Sequence, residues 1–216
     1  MTNKKNDMVK TLDILKKNYK DPVMLSSFTD GTPFQILIST VLSARSRDEE
    51  IIKIIKDLFF YFPEPYSMSE APIPKIERLI KSSGFYRTKA KNIKQISKII
   101  VDEYGGKVPE DFNDLVNLPG VGRKTAACVM VYAYGKPAIP VDTHVQRVAN
   151  RLGWVSTKDP EDTEMRLMKL LPKRYWKVIN ELLIIHGRKV CNPVTPKCSV
   201  CRLKDYCPKI GVKKSK

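Results

Sequence analysis

The chain is 216 residues long, 42% hydrophobic and 29% charged, with 15 prolines and 10 glycines; this predicts one or two globular domains and excludes a small stapled scaffold, a disordered chain or a collagen-like repeat. Its longest unbroken apolar run is the nine residues Ala126–Tyr134, less than half of what a membrane-spanning helix needs. Met1–Asp13 lack the features of a secretory signal, so a cytoplasmic protein without a membrane partner is expected. With 39 Lys and Arg against 23 Asp and Glu the net charge is +16, which calls for an acidic partner, nucleic acid first among them.

In chain order, Val9–Tyr19 opens with a helical pattern. Phe34, Leu37, Ile38, Val41 and Leu42 then recur at i, i+3, i+4, i+7 and i+8, an amphipathic helix with Pro33 suited to its first turn. Helical patterns follow over Asp48–Phe60, Pro74–Ser82, Thr88–Tyr104 and Asp111–Asn117. After a run that begins near Val121 and closes at Gly135-Lys136-Pro137, others cover Thr143–Arg151, Pro160–Leu171 and Arg174–His186. Gly84 and Gly105-Gly106 read as stops. Strand alternation is essentially missing, so the expected fold is all-α, about ten helices with short loops. The proline-rich joint Lys136–Pro140 is a candidate boundary. The positive charge concentrates in Pro74–Lys107, nine Lys and Arg against three acids, and in His186–Lys216, nine against one. A solvated lysine-rich surface is the plain alternative to a nucleic-acid face.

Leu118-Pro119-Gly120-Val121-Gly122-Arg123-Lys124-Thr125 lies between two helical patterns and reads as a helix-hairpin-helix whose glycines allow unusual backbone angles. Without side chains at Gly120 and Gly122, the backbone N–H groups opening the next helix can approach a phosphate, giving sequence-independent grip on DNA. Lys124 falls in that helix's first turn, where the dipole disfavours a cation. A phosphate contact explains it, and so does an amine nucleophile. Asp142, at the start of a later helix, is either an N-cap or a working carboxylate.

Five cysteines are present, and Cys191, Cys198, Cys201 and Cys207 crowd together with six, two and five residues between them. That density predicts a metal site rather than disulfides. Zinc and iron-sulfur both remain open. The single tight pair and Pro208 after the last cysteine favour a [4Fe-4S] cluster. Cys128, in a small apolar run, reads as a buried inert thiol. His186 reads as a packing or hydrogen-bonding residue.

These motifs together resemble the endonuclease III family of helix-hairpin-helix DNA glycosylases. The resemblance rests on Leu118–Ala126, Val141-Asp142-Thr143-His144, His186-Gly187-Arg188 and the four cysteines. It implies a six-helix barrel domain over 25–137 and a cluster domain from 1–24 plus 138–216, with the active cleft between them. It implies a bifunctional DNA glycosylase and abasic-site lyase of base excision repair, a monomer acting on double-stranded DNA with damaged bases or abasic sites, nucleoid-associated in a prokaryote. The lysine matching Lys124 attacks C1′ of a flipped-out oxidised pyrimidine nucleotide and forms a Schiff base that undergoes β-elimination. The aspartate matching Asp142 accepts the lysine's proton or stabilises positive charge on the sugar. Gly120, Gly122, Arg123, His144, Lys197, Arg202 and Lys204 would meet DNA, and the four cysteines would ligate the cluster.

Three positions depart from the family. Arg45 stands where members often place a glutamine that fills the hole left by the flipped base, and Ser83 and Phe85 stand where two aliphatic wedges are common, so Arg45 and Phe85 become the candidate gap-fillers. Adenine-mismatch relatives lack the lysine and carry a catalytic glutamate where this chain has Ser39. Thymine-mismatch relatives usually replace the lysine too. A non-catalytic DNA-binding module with structural zinc is the rival from another class, and Lys124 with Asp142 argues against it.

Overall fold

The computed structural model describes residues 2–19, 31–46 and 48–216. Among them are eleven α-helices, two short 3-10 turns and no strand, and none of these helices is long and apolar enough to cross a membrane. The chain divides into two compact units, Met1–Val23 with Pro137–Lys216, and Met24–Lys136. The expected boundary at residues 24–25 lies outside the described residues.

In the Met24–Lys136 unit the first described helix is α2 (Pro33–Ser43). Thr32 and Gln35 form a reciprocal capping box at its start, with Pro33 in the first turn. The helix is buried well beyond one stripe: Ile36, Ser39 and Thr40 are covered along with the periodic Phe34, Leu37, Ile38, Val41 and Leu42. An apolar helix closed in on several sides belongs at the middle of a bundle, and α2 packs against α3 (Asp48–Tyr61), α6 (Tyr86–Tyr104) and α8 (Arg123–Tyr132). Between them come α4 (Pro65–Ser69), which periodicity did not reveal because five residues make barely one turn, and α5 (Ile73–Leu79). The helix expected over 74–82 stops early because the Ser83 N–H turns back to the Ile80 carbonyl at 2.8 Å. Gly105, left-handed at φ 58°, ends α6, and the N–H of Gly106 reaches the Ile100 carbonyl. The core gathers residues from all these helices and from α7 (Phe112–Asn117).

In the other unit, α1 (Thr2–Asn18) packs on α11 (Trp176–Lys189), which also receives α9 (Thr143–Arg151). Met8, Leu12 and Leu15 of α1 are buried, and Asp13 accepts a hydrogen bond from the Tyr175 hydroxyl at 3.0 Å. The α10 helix (Pro160–Leu170), capped by Asp159, packs against α9.

Candidate active site and nucleic-acid interface

The predicted hairpin is formed by α7, a tight turn and α8, with the Val121 N–H donating to the Leu118 carbonyl at 3.0 Å. The unusual backbone angles expected of its glycines occur at Gly120 alone, φ +74°. A Cβ there would also run into the side chain of Asn92. Gly122 is instead extended, φ −90° and ψ 174°, and is the N-cap of α8 without a side-chain capping bond. The space a side chain would take at Gly122 is open. One glycine makes the turn and the other clears the approach. Helical bonding starts with the Ala126 N–H on the Gly122 carbonyl, so the first-turn N–H groups lie outside the helix's own ladder. Arg123 lies with its guanidinium 5.0 Å from the centre of the Phe112 ring. Lys124, second residue of α8, is half-buried.

In the same unit the structure brings Arg45 and Phe85 together, with the guanidinium 5.4 Å from the ring centre. Both residues are exposed, Phe85 by 63%. Both are left-handed, φ 54° and 59°, a conformation costing a non-glycine residue about 1–3 kcal/mol and persisting only where the surroundings impose it. Ser83, the other wedge position, is buried and its hydroxyl is hydrogen-bonded inside, so it cannot project. Between them Gly84 sits so close to the other turn that an added Cβ would lie 2.6 Å from the Arg45 carbonyl oxygen. Because that neighbour is backbone, Gly84→Ala is expected to lower stability by about 1–3 kcal/mol, measurable by denaturant titration.

Asp142 belongs to the other unit. It caps α9, its Oδ1 accepting from the N–H groups of His144 at 2.9 Å and Val145 at 2.8 Å. The cap uses one carboxylate oxygen, and the residue remains partly exposed. The buried Asn180 of α11 fixes the approach to it by donating to the Pro140 carbonyl at 2.7 Å. His144 lies 3.2 Å from the Arg147 guanidinium through Nδ1. Arg147 donates in addition to the carbonyls of Gly187 and Cys191, fastening α9 to the cysteine loop.

The four clustered cysteines are all free thiols. Together they line one small cavity walled by Val148, Leu152, Val190, Leu203 and Val212. Among the described residues no three His, Cys, Asp or Glu side chains converge tightly enough to hold a single ion. Burial pushes the Cys201 and Cys207 thiols up, against the pull of backbone N–H groups from Leu203 and Lys209. Arg151, buried, donates to the Asn192 and Pro193 carbonyls and lies 3.4 Å from Cys191 Sγ. His186 is buried between the Tyr19 hydroxyl, 3.0 Å from Nδ1, and Cys201 Sγ, 3.7 Å from Nε2. Its burial pushes the imidazole down to about 4. These partners of His186 and of the two arginines were invisible in sequence because they lie up to 167 residues away. Lys197, Arg202 and Lys204 are exposed on the loop.

Residues 38–173 match the family model of the HhH-GPD superfamily base excision DNA repair proteins, the class that the hairpin and the all-α fold define. Endonuclease III of Thermotoga maritima is 50% identical over 81% of this chain and 82% of its own length. That of Synechocystis sp. is 42% identical over 96% and 94%. Among solved structures, a trapped endonuclease III–DNA covalent intermediate superposes with a TM-score of 0.87 at 38% identity, covering 95% of this chain and 96% of that one. The chain belongs to the endonuclease III family of this superfamily, the bifunctional DNA glycosylases and abasic-site lyases of base excision repair.

Proposed function

We propose that the chain removes oxidised pyrimidines from double-stranded DNA and cleaves abasic sites, with Lys124 as nucleophile and Asp142 as its acidic partner. The Lys124 amine attacks C1′ of the extruded nucleotide as the bond to the base breaks, and the base leaves with that electron pair and takes up a proton. Opening of the sugar ring gives a C1′=N Schiff base. Loss of a C2′ proton then expels the 3′ phosphate, and hydrolysis of the imine returns the lysine. Asp142 serves this sequence through its charge, accepting the lysine's proton or stabilising positive charge on the sugar.

The observation that carries this reading is the place of Lys124, a lysine in the uncapped first turn of α8 where the helix dipole gains nothing from it. The likeness to a protein captured as a covalent intermediate with DNA supports it. Gly120, Gly122 and Arg123 would hold a phosphate at the hairpin, His144, Lys197, Arg202 and Lys204 would meet the backbone elsewhere, and Arg45 and Phe85 would enter the gap left by the flipped nucleotide. The reading carries with it a monomer and, if the source is prokaryotic, a cytoplasmic, nucleoid-associated place of work.

Cys191, Cys198, Cys201 and Cys207 would ligate a [4Fe-4S] cluster. Structural zinc sites usually show two tight cysteine pairs, whereas here Cys198 and Cys201 form the single one and Pro208 follows the last cysteine; all four cysteines line the same cavity. Bound there, the cluster would supply a scaffold tying the C-terminal loop together. The purified protein is expected to be yellow-brown, absorbing near 400 nm, roughly as iron-sulfur thiolates do, and Cys198→Ser to be colourless and poorly soluble. A colourless wild-type protein containing zinc would reverse this assignment.

Incubation with duplexes carrying an oxidised pyrimidine, uracil, a mismatched thymine or an abasic site, in the presence of borohydride, tests the whole reading. Covalent adducts with the oxidised pyrimidine and the abasic site are expected. Adducts confined to mismatched thymine would indicate a mismatch glycosylase, and tight binding without any adduct a non-catalytic module.

A further inference from the structure

Lys89, the fourth residue of α6, is 6% exposed and the single buried lysine among the described residues. It lies in the basic stretch Pro74–Lys107, yet its charge is turned inward. The three N–H bonds of its ammonium are shared among four acceptors, the carbonyls of Leu42 and Ala44, both at 2.7 Å, Ser46 Oγ at 2.9 Å and Ser83 Oγ at 2.7 Å. Every acceptor is neutral. Three belong to the segment that ends α2 and carries Arg45, and the fourth to the turn that carries Phe85. Ser46 completes the junction, accepting from the Gly84 N–H at 3.1 Å and lying 3.1 Å from the Ser83 hydroxyl.

A lysine has a long, rotamer-rich stem and a strongly hydrated head, so burying it costs free energy that its hydrogen bonds must offset. Burial pushes its pKa down to about 8, which leaves the ammonium predominant at neutral pH. A cation near the α2 carbonyls also suits the negative end of that helix, but an exposed lysine would serve that purpose without desolvation. What the buried position adds is the simultaneous grip on two turns roughly 40 residues apart. Just outside the grip stand Arg45 and Phe85, both held left-handed.

We propose that Lys89 is a positioning residue for base extrusion: its ammonium locks the 42–46 and 83–85 turns to one another, so that Arg45 and Phe85 meet the duplex as one preformed element. Preformation matters because ordering two turns during insertion would otherwise subtract from the energy available to open a base pair. This inference rests on the reading that Arg45 and Phe85 enter the gap.

The test compares single-turnover cleavage of a base-paired oxidised pyrimidine with cleavage of a pre-formed abasic site, in Lys89→Met, Ser46→Ala, Arg45→Ala and Phe85→Ala. 2-Aminopurine opposite the lesion reports unstacking. Lys89→Met keeps the stem and removes the donors. It is expected to slow the base-paired substrate on the order of tenfold to a hundredfold, as displaced positioning groups do, and to damp the 2-aminopurine rise, while the abasic site is cleaved within about threefold of wild type. Ser46→Ala is expected to move the same ratio in the same direction by a smaller factor, and it decides the matter if Lys89→Met does not fold. A parallel loss on both substrates, or no loss on either, overturns the lock. If Arg45→Ala and Phe85→Ala leave the ratio unchanged, the gap-filling reading itself fails; if they shift it while Lys89→Met and Ser46→Ala do not, only the lock fails.

Discussion

Lys124→Gln is expected to bring borohydride trapping and strand cleavage below detection while duplex affinity stays within a few-fold of wild type. An amide cannot add to C1′ or form an imine, so both steps lose their nucleophile together. In the proposed complex, phosphates would be held mainly by backbone N–H groups at the hairpin and by cations elsewhere, so one missing charge would remove a small share of the affinity. Misfolding would not explain the loss, because removing a cation from the first turn of α8 relieves about 0.3–1 kcal/mol of unfavourable dipole interaction. Thermal unfolding should therefore be unchanged or slightly later. Undiminished trapping in this variant would move the nucleophile to another amine.

Asp142→Asn separates the observed cap from the proposed catalytic charge. Asparagine caps helices about as well as aspartate, and Oδ1, which accepts from His144 and Val145, has an amide counterpart. Stability should stay within about 1 kcal/mol. The carboxylate's charge and proton affinity disappear, and turnover should fall by a factor on the order of 10²–10⁴. Titrating the active fraction by trapping while following unfolding by circular dichroism distinguishes the cases. Reduced stability with normal turnover of the folded fraction would show that Asp142 does no more than cap α9.

The legible parts of this molecule are those that local chemistry governs. The apolar spacing from Phe34 to Leu42 places α2 because a helix must cover its apolar surface. Leu118–Thr125 spells the hairpin because a left-handed turn and an unobstructed helix start both call for glycine. The four cysteines stand out because few constraints concentrate that residue so densely, and the fold brings them to one cavity. Serine before glycine at 83–84 carries no comparable signal, and Ser83 proved to be a buried acceptor rather than a wedge. Likewise nothing local distinguishes Lys89 from its neighbours, since a lysine's burial depends on what lies across from it.

By itself the sequence determined the all-α class, the hairpin and the cysteine-dense loop, because each follows from periodicity, backbone freedom or residue density within a short stretch. Only the tertiary structure decided that Lys89 gathers Leu42, Ala44, Ser46 and Ser83, and that His186 lies between Tyr19 and Cys201. It also decided that Arg45 and Phe85 share one exposed point. Those arrangements arise from the mutual packing of helices remote in sequence, which chooses partners for buried polar groups that no single segment can supply.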